Sequence, residues 1–137
     1  MRPKKKILLI DSNETRLSVR SFVLRNHGFA VSAVSNHRDA LDAAAMMGPE
    51  LVMLSWPFRG AEALLDKLYV SCPYAKSMVI AEMLTEAPIG LVAHAILTKG
   101  ACSPAGVIDQ AKILLSGKRG PRKQPPPDRA AAIAWVA

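Results

Sequence analysis

A doubly wound α/β fold, with five parallel strands and helices on both faces of the sheet, is what this sequence predicts, and three observations carry the expectation. Short continuous apolar runs, Lys6-Ile-Leu-Leu-Ile10, Leu51-Val-Met-Leu54 and Ala95-Ile-Leu-Thr98, read as strands buried on both faces. Stretches of about ten residues with apolar positions at helical spacing separate most of the strands. The three runs also end in chemistry. Asp11, Ser55 and Lys99 stand just past them, where open α/β sheets hold their ligands.

Taken in order, the first strand is followed by Ser12 and Asn13, either of which can cap a helix. Its apolar positions are Leu17, Phe22, Val23 and Leu24, with Arg16, Arg20 and Asn26 on the wet face, and Gly28 supplies a left-handed stop. Phe29 to Val34 alternates more and suits a strand near a sheet edge. Asn36 caps a second helix, whose inner stripe is Leu41, Ala44, Ala45 and Met47 and which stops at Gly48-Pro49. The central third strand and its turn at Ser55 lead into a helix from about Ala61 to Val70, buried through Leu64, Leu65 and Leu68. Met78 to Ala81 is the fourth strand. Between it and the fifth, Thr85 to Ala93 has room for a shortened fourth helix of two turns at most. Ser103-Pro104 opens the last helix with a cap and a first-position proline, and Gly117 ends it. Right-handed crossovers then give the flavodoxin-like strand order 2-1-3-4-5.

The chain has 137 residues, half of them hydrophobic, the size of one domain. Its net charge of +7 is concentrated at the ends: the body from Ile7 to Ser116 has nine basic and ten acidic residues, a balance of −1. A basic face for nucleic acid is therefore not expected on the body. Residues 1–117 are read as the domain and 118–137 as a basic, proline-rich tail ending in an apolar stretch with Trp135. Neither a membrane-spanning run nor an export signal is visible, so a cytoplasmic location with reduced Cys72 and Cys102 is expected.

Three segments together, Lys-Ile-Leu-Leu-Ile-Asp11, Pro49-Glu-Leu-Val-Met-Leu54 and Ala-His94-Ala-Ile-Leu-Thr-Lys99, resemble the receiver domains of two-component response regulators, the CheY-like superfamily. The resemblance covers residues 4–117. In that family a pair of acids after the first strand binds magnesium, an aspartate after the third accepts a phosphoryl group, and a lysine after the fifth contacts the phosphate. Here Asp11 matches the first acid, but Ser12 stands at the second and Ser55 at the acceptor position. Lys99 matches the lysine, the hydroxyl position after the fourth strand falls near Glu82 or Met83, or at Thr85 if that strand runs longer, and Ile96 occupies the switch-aromatic position.

The resemblance thus implies a degenerate receiver that lacks the phosphoacceptor aspartate. One remaining carboxylate makes magnesium binding weak or absent, and no other cofactor is expected. A serine hydroxyl without a base or a metal is a poor nucleophile, so catalysis is not expected either. An Asp11–Lys99 ion pair is expected across the vacated pocket, with Trp56 as its cover. His27 reads as a helix-end residue and His94 as a loop residue. Met46, Met47, Met53, Met78 and Met83 read as core filler. The expected function is a phosphorylation-independent protein-interaction module in two-component signalling. Its partner would be a histidine kinase or another regulator, with homodimerisation through the face of fourth helix, fifth strand and fifth helix. A small nucleic-acid-associated regulator acting through its basic termini is the alternative.

Overall fold

The computed structural model describes residues 3–116; the Gly117 stop and the 118–137 tail lie outside them. The elements are β1 (Lys6–Ile10), α1 (Glu14–Asn26), β2 (Ala30–Val34), α2 (His37–Met47), β3 (Leu51–Ser55), α3 (Ala61–Ser71), β4 (Lys76–Ala81), β5 (Ala95–Thr98) and α4 (Pro104–Leu115). All pairings are parallel, and the strand order is β2-β1-β3-β4-β5 as expected.

The continuous apolar runs are buried on both faces because their alternate residues feed two cores. Leu8, Ile10, Val52, Leu54, Val79 and Ile96 face α2 and α3. Ile7, Leu9, Leu51, Met53, Met78 and Leu97 face α1 and α4. Each fully buried Leu or Ile contributes about 1.5–3 kcal/mol, which is why the buried stretches of the central strands, residues 7–10, 51–54 and 78–81, hold only apolar residues.

Local chemistry sets the helix starts. Asn13 Oδ1 accepts from the Arg16 N–H at 2.9 Å, Asn36 Oδ1 from Asp39 N–H at 2.8 Å, and Ser103 Oγ from Gly106 N–H at 3.1 Å. At Gly106 a close approach demands glycine: an added Cβ would lie 2.5 Å from the Ala101 carbonyl oxygen. Gly106→Ala is therefore expected to lower stability by about 1–2 kcal/mol in a urea melt, although alanine is the better helix former by roughly 1 kcal/mol.

Several expectations need correction. Among the described residues the crossover from β4 to β5 contains no helix at all, so a face built on a fourth helix does not exist; turns and irregular chain take its place. Its proline and glycine, Pro88 and Gly90, favour such a path. On α1, Phe22 is 66% exposed and Val23 is only partly buried, while Leu17, Ser21 and Leu24 face the core. On α2 the fully buried positions are Ala40 and Ala44, and Ala45 is exposed. Met53 and Met78 are core residues and Met47 packs at its margin, but Met46 and Met83 are exposed.

Candidate functional site

β1 and β3 are neighbours in register, Ile10 beside Leu54, so Asp11 and Ser55 emerge together at the carboxyl edge. Strand alternation turns both toward the α1 side of the sheet. They are almost entirely buried, at 0% and 2% exposure. Two buried polar groups at a strand edge need partners, and α1 supplies them.

Arg16 grips Asp11 side-on, its Nε donating to Oδ2 at 2.6 Å and its Nη2 to Oδ1 at 2.9 Å. The Asn13 backbone N–H also donates to Oδ1, at 2.8 Å. One turn further along the helix, Arg20 Nη1 donates to Ser55 Oγ at 2.8 Å and lies 3.7 Å from Asp11 Oδ2. Glu82, just past β4, closes the other side, with Oε1 3.7 Å from Arg16 Nη1. The site is therefore two carboxylates, two guanidiniums and one hydroxyl, held by three strand ends and one helix.

Electrostatics follow from burial and pairing. Burial pushes the Asp11 carboxyl up, but hydrogen bonds from Arg16, from the Asn13 backbone and from Ser55 together outweigh it and hold the group below the usual carboxylate range. The hydrogen bond to Asp11 raises the Arg16 guanidinium above its ordinary value. Burial draws Arg20 down, against the opposing pull of Glu82 and Asp11. An arginine in this range still keeps its charge at neutral pH. Arg20, with a side chain only 12% exposed, is thus a buried cation beside Asp11 and Ser55.

The other residues singled out from the sequence fall as follows. Lys99 is exposed past β5, with its backbone N–H on the Leu84 carbonyl, and the cations paired with Asp11 are Arg16 and Arg20 rather than Lys99. Ser12 is exposed. Ile96 is fully buried in the α2–α3 core, beside Leu91 and Ala93 of the fourth crossover. Trp56 packs against that same core, on the opposite face from the Ser55 hydroxyl, so it does not cover the pocket; Arg20 fills that place. His94 is also more than a loop residue, since its Nδ1 accepts the Ser77 N–H at 3.0 Å.

Arg16 and Arg20 are the residues the sequence reading missed. Their signal was present in the spacing: positions i and i+4 share a helix face, and Arg20 flanks the stripe of Leu17, Ser21 and Leu24. Their charge suggested solvent, whereas the strand ends offered a buried carboxylate.

The family that the sequence resembles binds magnesium at this edge, and the donor set here does not fit that ion. Both Asp11 oxygens already accept hydrogen bonds from Arg16, and Arg20 places a positive charge beside them. A hard divalent cation needs several oxygen ligands free of competing cations. Among the described residues no group of three His, Cys, Asp or Glu residues is arranged for a metal.

No protein-family model matches the chain, and no curated protein matches it. Solved structures do. A CheY-like response regulator receiver domain protein from Methanospirillum hungatei JF-1 matches with a TM-score of 0.71 at 18% identity, covering 83% of this chain and 95% of that one. The signal receiver domain of a signal transduction histidine kinase from Syntrophus aciditrophicus gives 0.72 at 18% identity, covering 88% and 97%. The receiver domain of the hybrid histidine kinase CckA gives 0.66 at 22% identity, covering 80% and 98%. The chain has the receiver-domain fold.

Proposed function

We propose that this chain is a degenerate receiver domain of two-component or related signalling, acting as a protein-interaction module without aspartyl phosphorylation, metal or catalysis. The observation that carries the reading is the Arg20 guanidinium, hydrogen-bonded to Ser55 Oγ and close to Asp11. In an ordinary receiver, cation and phosphoryl group come and go at this edge. Here the cation is a side chain of the protein, and the acceptor position is a hydroxyl that already accepts a hydrogen bond. The carboxylate facing Ser55 is Asp11, and the hydrogen bonds it accepts from Arg16, the Asn13 backbone and Ser55 hold it below the usual carboxylate range, which makes it a poor general base for the Ser55 proton.

Partners of protein nature suit the surface. Val19 and Phe22 stand exposed one turn apart on α1, apolar area of the kind that protein partners cover. A histidine kinase or another regulator is the partner this reading favours. No helix among the described residues is long and apolar enough to cross a membrane. The body's near-neutral charge gives no support to nucleic-acid binding.

The test is a two-dimensional amide NMR titration of the full chain with magnesium, then magnesium plus beryllofluoride. The expected result is no saturable shift at Asp11, Ser55, Glu82 or Lys99. Saturable shifts there that spread to Ile96 would overturn the reading, because they would show a pocket that still takes the ion and the phosphoryl mimic.

A further inference from the structure

On the face where the fourth crossover lacks a helix, a cavity of about 270 Å³ opens between α3 and the chain leading into β5. Val52, Leu65, Leu68, Ala75 and Val92 provide apolar walls. The polar groups are few and defined. His94 Nδ1 accepts the Ser77 N–H at 3.0 Å, so the neutral ring carries its proton on Nε2 and offers a donor. Asp66 and Lys76 supply one charge of each sign to the lining.

The cavity sits at the amino ends of β4 and β5, since Lys76 and Ser77 begin β4 and His94 immediately precedes β5. That is also where α4 finishes. A helix following a strand of a parallel sheet runs back antiparallel to it, so Leu115 returns to this edge. α4 lies against β3 and β4 on the other face of the sheet, and β5 is the edge strand that a chain leaving α4 must round to reach the cavity.

The sequence beyond α4 has two parts: a basic, proline-rich stretch through Arg129, then residues 130–137, whose large apolar side chains are Ile133, Trp135 and Val136. Residues 117–129 reach about 40 Å when extended. Passing from one helix layer around the β5 edge to the other takes roughly 35 Å, about 20 Å for two layers and about 15 Å for the strands crossed out and back. The stretch is long enough.

We propose that residues 130–137 of the same chain dock into this cavity, with Trp135 as the anchor, and take the place of the missing helix. The indole and one aliphatic side chain would fill the apolar walls. The indole N–H needs an acceptor, and the Asp66 carboxylate is the one at hand; Arg129, entering just before, complements the same charge. His94 Nε2–H would meet a backbone carbonyl of the segment. This inference is independent of the Asp11 site.

The test is NMR on the isotope-labelled full chain, with Trp135→Phe to assign the Trp135 indole signal against that of Trp56. The expected result is nuclear Overhauser contacts from the Trp135 indole to the Leu68, Ala75 and Val92 methyl groups, unchanged on dilution. Val92→Arg at the cavity is expected to abolish them. An indole without contacts to these methyls overturns the proposal. Contacts that disappear on dilution also overturn it, because the occupant would then be a second copy of the chain. Both outcomes are read on the wild-type protein, so the result does not hang on the folding of a variant.

Discussion

Asp11→Ala is expected to lower the unfolding free energy by about 3 kcal/mol, the largest loss for any single polar side chain of the site. The carboxylate has 1% exposure and receives three hydrogen bonds shorter than 3 Å. Its removal leaves Arg20 buried without its nearest anion, and the Asn13 N–H without an acceptor. Arg16, one-third exposed, can turn to water and limits the cost. The midpoint of a urea melt at neutral pH measures it. Linkage provides a second readout. The folded-state value of Asp11 lies below the ordinary 3.8, so its contribution is complete above pH 3.8 and is lost as pH falls through the folded value. Asp11→Asn is expected to flatten that acid limb; an unchanged limb would show that the arginines do not hold the carboxylate ionised.

Between neutral pH and about pH 4 a different group governs stability. Burial, helped by the nearby Lys76 charge, depresses His94 from 6.5 to about 4. The unfolded chain therefore binds a proton across that window and the folded chain does not, so stability is full above pH 6.5 and falls toward pH 4. The loss is roughly 2–3 kcal/mol, allowing for the ring's partial contact with water. Below the folded value this group costs nothing further. His94→Asn keeps an acceptor for the Ser77 N–H and cannot titrate, so it is expected to remove the slope. Wild-type stability that stays constant from pH 7 to 4 would contradict the buried neutral imidazole. The two acid windows are separate, and one set of urea melts against pH resolves both.

The strands were legible because burial on two faces demands short continuous apolar runs such as Ile-Leu-Leu-Ile and Leu-Val-Met-Leu; the same Lys-Ile-Leu-Leu at 112–115 was told apart as helix by the apolar spacing of Val107, Ile108 and Ala111 before it and by the Ser103-Pro104 start. The caps were legible too, since Asn13, Asn36 and Ser103 each accept the N–H three residues on. Asp11, Ser55 and Glu82 meet at one edge because strand order and register bring their strand ends together, and that followed from topology alone. The partners of Asp11 did not. Arg16 and Arg20 look like solvent-facing charges until a buried carboxylate is placed above α1. Lys99 looked like the partner because it also stands at a strand end, yet it is exposed past β5. The fourth crossover failed for the opposite reason. Apolar content in Thr85 to Ala93 suggested a short helix, but Leu91 and Ala93 are buried from an irregular chain, which needs no helical period.

The Arg20 guanidinium also bears on what such a domain can report. A bound metal or phosphoryl group is exchangeable, and its occupancy carries information about supply and demand in the cell. A cation tethered on α1 is present in every folded copy, beyond the reach of chelator or phosphatase. On the reading proposed above, each molecule leaves the ribosome already in its final state, and the quantity that varies is how many molecules there are. Synthesis and degradation of the chain then become the input that phosphoryl transfer provides elsewhere.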